Sequence, residues 1–309
     1  MNASGVGRAG IDAAAQRIAG RVRETPVIAF DATGAVVLKL ECLQHAGSFK
    51  PRGAFNRILS SPVPAAGVIA ASGGNHGLAV AYAARELGIT AEIFVPETTP
   101  AIKLARLDAL GAAVHRVGRE YAEAALACGE RQRETGALMV HAYDQDAVVA
   151  GQGTAGREFD RQVRGLDTVL VAVGGGGFIG GVAAWFEGRA RVIAVEPETS
   201  CALHAALAAG QPVDVDVSGI AADSLGARRV GSVMFPIARR CVERVVLVDD
   251  GAIRDAQRLL WNQFRVVAEP GGAAALSALL SGRYRPEPGE RVGVFVCGAN
   301  CDPATVASS

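Results

Sequence analysis

Apolar residues recur at helical spacing at Ile11, Ala14, Ile18 and Val22, which predicts a first helix over 9–22. Thr25-Pro26 ends it, and the run 35–40, Ala-Val-Val-Leu-Lys-Leu, predicts a strand. A short helix is expected over 53–59, after the turn-like Gly47-Ser48. From Gly67 the pattern becomes strand, loop, helix in alternation. Strands are predicted over 68–71, 91–95, 112–117 and 138–141, and helices over 78–87, 101–110 and 121–135. The second half alternates too, with strands over 168–173, 192–196, 245–248 and 292–297 and helices over 180–186, 250–264 and 271–280.

Several of these strands are unbroken apolar runs, which suits a parallel sheet covered on both faces. The expected class is therefore α/β, with two open parallel sheets. Residues 65–145 read as a smaller α/β domain inserted in a larger one made of 1–64 and 146–309. The stretch Ser60-Ser61-Pro62-Val63-Pro64 is the best linker.

Composition narrows the partners. Half of the 309 residues are apolar, and Lys+Arg and Asp+Glu both number 31. Zero net charge argues against a nucleic acid or an anionic membrane, since neither would be attracted. No run reaches the roughly eighteen apolar residues of a membrane span. The first twenty residues lack a basic segment followed by an apolar core, so a cytoplasmic location is expected. Six scattered cysteines suit reduced thiols better than a disulfide framework. Cys297 and Cys301 lack the two further ligands that zinc would need.

Three glycine-containing loops follow predicted strands. Gly174-Gly175-Gly176-Gly177 lies between a strand and a helix, where successive backbone N–H groups can turn toward a phosphate. From this loop alone a dinucleotide site competes, because Glu196 ends the next strand at about the right distance. Ser72-Gly73-Gly74-Asn75-His76 offers donors at a second helix start, where simple capping is the plainer alternative. Cys297-Gly298-Ala299-Asn300 ends the last strand. In open α/β sheets ligands bind beyond the carboxyl ends of strands, so the three loops would converge there. Lys50 sits in a turn between apolar segments, where a surface lysine is the plain reading. With the loops around it, a desolvated amine can form an imine with an aldehyde. An imine-forming lysine, a phosphate cup and an anion loop together suit pyridoxal phosphate with an amino-acid substrate. A nicotinamide site would use the glycine loop and leave Lys50 and the 71–77 loop unexplained.

The stretches GSFKPRGA, ASGGNHG, VAVGGGGFIGG, AEPGGAAAL and CGAN occur in that order, over roughly 20–305. In this the chain resembles the serine/threonine dehydratase family of fold-type II pyridoxal-phosphate enzymes, which includes threonine deaminases, serine dehydratases and serine racemases. The resemblance implies that Lys50 carries the cofactor and then acts as the Cα base, and that Phe49 packs on the ring. It implies that Asn75 bonds the ring 3′ oxygen, that Gly174, Gly175, Gly176, Gly177 and Phe178 hold the phosphate, and that Glu269 lines the ring site. Cys297 would lie beside the pyridine nitrogen, and Ser72, Asn75 and His76 would bind the substrate carboxylate. The implied activity is an L-serine/L-threonine ammonia-lyase, a homodimer releasing a 2-oxo acid and ammonia. Two departures bear on it. Serine racemases of this family have a serine as second base where Gly73 stands. They also bind a divalent ion through a Glu and an Asp six residues later; Glu196 is present but Ala202 replaces the Asp, which leaves room only for a monovalent cation or none. Arg119 or Arg228 would clamp a second carboxylate if the substrate were like 3-hydroxyaspartate, although a solvated turn explains Arg228 as well.

Overall fold

The computed structural model describes residues 6–307, so residues 1–5 and 308–309, at the ends of the expected larger domain, lie outside the described residues. Its strands are β1 Val27–Ala29, β2 Val36–Lys39, β3 Val68–Ala71, β4 Ala91–Val95, β5 Ala113–Arg116, β6 Leu138–Met139, β7 Thr168–Ala172, β8 Arg191–Pro197, β9 Arg244–Val248 and β10 Val292–Phe295. They form two sheets, a six-stranded one in the order β1-β2-β10-β7-β8-β9 and a four-stranded one in the order β5-β4-β3-β6. The paired strands are parallel apart from β1 against β2. Parallel neighbours need crossover helices, which cover the faces and explain the unbroken apolar strands. In the large sheet Val294 sits beside both Leu38 and Leu170, all fully buried.

The strands of the small sheet all fall between residues 68 and 139. Its core, however, reaches beyond the 65–145 range read from the sequence. Ile18, Ala54, Phe55, Ile58 and Val148 share one apolar cluster with Val68, Ile93 and Leu107. The helix Lys50–Leu59 thus packs on the helix Asn75–Glu86 of the small lobe while also facing the large lobe.

Helix starts differ from the sequence reading in a consistent way. The structure begins three helices three residues earlier, at Lys50, Asn75 and Gly177. The residues of those first turns carry the candidate chemistry and break the apolar period, so periodicity misses them. The first helix is shorter than expected, Arg8–Arg17, with Ile18 as its C-cap and Gly20 turning the chain at φ +73°. One long helix, Asp146–Gln162, was not expected at all. Its GQGTAG stretch looks like a loop, but the glycines let other backbones approach. A Cβ at Gly151 would lie 2.5 Å from the Arg52 carbonyl oxygen, and one at Gly153 would lie 2.8 Å from that of Gly181. The helix therefore wedges between Lys50–Leu59 and Gly177–Phe186 because it has no side chains there.

A buried ion cluster fastens this wedge. Arg52 donates from Nε to Glu41 Oε2 at 2.7 Å and from Nη2 to Glu41 Oε1 at 2.8 Å, and Nη2 also reaches Glu158 at 3.0 Å. Lys39 Nζ donates to Glu158 at 2.5 Å and to the Thr25 carbonyl and Gln162 Oε1, both at 2.7 Å. Two cations and two carboxylates cancel, as burial of charge requires. The cluster ties β2 and the Asp146–Gln162 helix to the helix that begins with Lys50.

Candidate active site

Lys50 is the first residue of its helix, with Pro51 just inside the start, where a missing N–H costs nothing. This places the side chain in the cleft between the sheets. Its Nζ donates to the Ala142 carbonyl at 2.8 Å and lies 5.2 Å from the Phe49 ring centroid. Loss of hydration lowers its pKa from 10.5 to about 8, although Cys297 and Glu269 pull the other way. Among the described residues no carboxylate forms an ion pair with it. The amine is thus part-neutral near neutral pH and aimed into a cleft lined by the glycine loop, Asn75, Glu269 and Cys297.

The glycine loop forms one wall of that cleft, between β7 and the helix Gly177–Phe186. Gly176 adopts φ +87°, which a side chain would strain. A Cβ at Gly175 would overlap the Tyr143 ring, and one at Gly177 would lie 2.7 Å from the Tyr143 carbonyl. Without side chains, the loop presents backbone to the cleft. The first N–H groups of the helix have no intrahelical acceptor, so the wall suits a phosphate. Phe178 stacks on Phe49 with centroids 4.1 Å apart, which braces this loop against the residue beside Lys50.

The opposite wall is polar. Asn75 Nδ2 donates to Glu269 Oε1 at 2.6 Å, and Asn75 Oδ1 accepts from Asn300 Nδ2 at 2.7 Å. Burial raises the Glu269 pKa to about 7, against the bond from Asn75 that lowers it. Cys297 is buried at the end of β10, and its thiol donates to the Gly271 carbonyl at 3.4 Å. Burial, then Glu269, pushes its pKa up, so it stays a neutral thiol.

In the 71–77 loop Ser72 Oγ accepts from the Gly74 N–H at 3.2 Å, a bond within the loop; the helix N-cap is Gly74, so the side-chain capping weighed from the sequence is not made. His76 is buried, and its Nε2 donates to the Val140 carbonyl at 2.7 Å. Burial and nearby Lys50 lower its pKa to about 3, so the ring is neutral and committed to the scaffold. The expectation that His76 binds a carboxylate is corrected to this extent: it can contribute its backbone N–H at the helix start, and not a charged ring.

Arg119 and Arg228 are not brought to the cleft, and the Ser72 and His76 side chains also lie outside its lining. Arg119 is exposed and absent from the cleft lining, with its N–H bonded to Glu123. Arg228 is exposed and also outside the lining. Arg119 follows β5 and Arg228 follows the short helix Ala222–Leu225, and both face solvent. Glu196 is fully buried at the end of β8, where its two oxygens accept the N–H groups of Leu203 and His204 at 2.8 Å. It caps the helix Ala202–Ala209, and among the described residues no group of three acidic, His or Cys side chains could hold a metal. Conversely, the sequence reading missed Tyr143, which lines the cleft; in the 223–229 stretch, expected near the substrate from the resemblance and weighed for Arg228, it is Ser224 and Leu225 that line it. Tyr143 follows β6, a strand-end position like the three glycine loops, and that placement was its available signal.

An amine, a backbone anion cradle and a neutral thiol at the carboxyl ends of parallel strands define an enzyme that holds a phosphorylated aldehyde. The family model described as pyridoxal-phosphate dependent enzyme matches residues 18–298, and the chain belongs to that family. It is 39% identical over 299 residues to a phenylserine dehydratase of Ralstonia pickettii, covering 93% of this chain and 90% of that one. It is 38% identical to an L-threonine ammonia-lyase of Geobacter sulfurreducens, over 88% of this chain and 69% of that one. Among solved structures, maize serine racemase superposes with a TM-score of 0.91 at 33% identity, covering 97% of this chain and 95% of that one. The two-sheet, fold-type II architecture read from the sequence is therefore that of its relatives. The residues present fit the cofactor: Lys50 would hold its aldehyde carbon, the side-chain-free loop 174–177 its phosphate, and Cys297 would face its ring.

Proposed function

We propose that the protein eliminates water from L-serine or L-threonine, giving a 2-oxo acid and ammonia. The observation that carries this reading is the Lys50 amine, partly buried and bonded to the neutral Ala142 carbonyl with no carboxylate partner among the described residues, facing the glycine cradle and a neutral thiol in one cleft. Pyridoxal phosphate, when bound, supplies an electron sink for the bond broken at the substrate Cα. The free Lys50 amine would take the substrate Cα proton; with a pKa near 8 it is a competent base at neutral pH. The backbone N–H groups at the start of Asn75–Glu86 hold the substrate carboxylate, and the start of Gly177–Phe186 holds the phosphate. Cys297 brings no charge to the ring edge, which favours rapid loss of the β-hydroxyl over prolonged charge storage. The Cα–H and Cβ–O bonds break, one water leaves, and the released enamine takes up one water to give the oxo acid and ammonia.

Gly73 counts against a second proton-transferring group on the other face. A Cβ there would lie 3.1 Å from Thr99 Cγ2, so the position is also tight for a larger residue. The exposure of Arg119 and Arg228 counts against a diacid substrate like 3-hydroxyaspartate. Tyr143 in the lining supports adding phenylserine to the substrates tried, since the Ralstonia pickettii relative is named for it. The test is an absorbance scan of the purified protein before and after each amino acid, with oxo acid and amino-acid enantiomers measured together. Release of 2-oxo acid from L-serine or L-threonine is expected; D-serine formed without oxo acid would replace this reading with a racemase.

A further inference from the structure

Asn300 has no assigned part in the chemistry above, yet it touches three of the elements that build the cleft. Its Nδ2 donates to the Ala46 carbonyl at 2.7 Å and to Asn75 Oδ1 at 2.7 Å. Its backbone lies near enough to Glu269 to pull that carboxyl's pKa down slightly. Ala46 lies four residues before Lys50 and holds an unusual left-handed conformation, φ 55°, ψ 18°. Gly47 follows at φ +70°, and a Cβ there would lie 2.7 Å from Asn300 Oδ1. The segment leading to Lys50 is therefore folded around the Asn300 side chain.

The hydrogen bonds of this group have a fixed direction. A backbone carbonyl can only accept, so the end of Asn300 that meets Ala46 must be its amide nitrogen. The same nitrogen faces Asn75, so Asn75 must turn its oxygen toward Asn300. The nitrogen of Asn75 then faces Glu269, which accepts one of its two protons. The second proton is left for an acceptor in the cleft that Asn75 lines. Were Asn300 unable to donate, only Glu269 would hold Asn75 in this orientation, and a carboxyl with a pKa raised to about 7 can donate to a flipped Asn75 oxygen as well as accept from its nitrogen.

We propose that Asn300 is a positioning residue that orients the Asn75 carboxamide, so that Asn75 presents a donor, and not an acceptor, to an oxygen of the bound cofactor. The proposal rests on the cofactor reading above and adds to it the device that sets the polarity of one wall. The effect of Asn300 on the cofactor passes through Asn75, and that dependence is measurable without turnover.

The test is a double-mutant cycle on cofactor binding. The dissociation constant of pyridoxal phosphate and the position of its visible band are measured by titrating the cofactor-free wild type, Asn300→Ala, Asn75→Ala and the double variant. Asn300→Ala should weaken binding about tenfold, the worth of one oriented hydrogen bond, and move the band. In the Asn75→Ala background the same substitution should add less than about twofold. Asn300→Ser, which keeps a small donor, should recover part of the loss, and it carries the comparison if Asn300→Ala does not fold. Equal losses with and without Asn75, or an unmoved band in Asn300→Ala and Asn300→Ser, would overturn the proposal. A wild type that binds no pyridoxal phosphate would instead remove the cofactor reading, and the proposal with it.

Discussion

Lys39 and Lys50 lie eleven residues apart and both leave water on folding, yet the structure makes opposite use of them. Lys39 is fully buried among Glu158, the Thr25 carbonyl and Gln162. Burial lowers its pKa, but the charges of Glu41 and Glu158 oppose the shift. Lys50 has one neutral acceptor, the Ala142 carbonyl, and its pKa falls to about 8. Desolvation is common to both. The difference is the paired carboxylate, which keeps one amine a structural cation and whose absence leaves the other available for chemistry.

The comparison breaks most sharply under substitution. Lys50→Ala should reduce 2-oxo acid release by about a thousandfold or more, because the base and the anchor are one group. Its thermal midpoint without cofactor should hardly change. Lys39→Met should do the reverse, destabilising the fold by about 3–5 kcal/mol by leaving Glu41 and Glu158 with Arg52 as their one remaining cation in the buried cluster. Urea unfolding of the cofactor-free proteins checks both. A Lys39→Met protein as stable as wild type would mean that the cluster is not a structural unit.

Arg52→Lys comes next. A lysine cannot reproduce the two-pronged bond to Glu41. A loss of about 2 kcal/mol is expected from a broken charged hydrogen bond, read in the same unfolding experiment.

The pH dependence sharpens the contrast further. Lys50 is protonated below its pKa of about 8, so raising the pH through that value frees the amine. In the cofactor-free protein its reaction with a small aldehyde should level off above pH 8 and fall about tenfold per unit below pH 7. An ordinary lysine would keep gaining reactivity toward pH 10.5. A mid-point near 10.5 for the Lys50 peptide, followed by mass spectrometry, would show that the cleft does not dry this amine.

The smallest effect belongs to a solvent-facing pair. Lys103 Nζ meets Asp223 Oδ1 at 2.5 Å, and it links a helix of the small lobe to the residue before Ser224 of the cleft. Asp223 is mostly exposed. Lys103→Ala should therefore cost less than about 1 kcal/mol in unfolding, a scale against which the buried cluster stands out.

Much of the site was legible in the sequence because each loop announces itself locally. Four glycines between a strand and a helix have few other uses, and the turn before Lys50 marks it as a junction residue, although its place as the first residue of a helix was not legible. What was not legible depends on distant partners. The sequence reads Lys39 as one residue of an apolar strand, and nothing near it shows that Glu158 waits 119 residues away. The helix Asp146–Gln162 hid behind glycines that serve close packing and not a turn. Arg119 and Arg228 failed as cleft residues because side-chain direction is set by tertiary placement, which a motif does not carry.

The most direct measurement is to fix the cofactor in place chemically. The holoenzyme is treated with borohydride, digested and mapped by mass, so that the cofactor stays on the amine that held it. The account predicts the reduced pyridoxyl mass on the peptide containing Lys50, lost in Lys50→Ala and retained in Lys39→Met. The label on another lysine, or a wild type that takes up no label while binding pyridoxal phosphate, would contradict it.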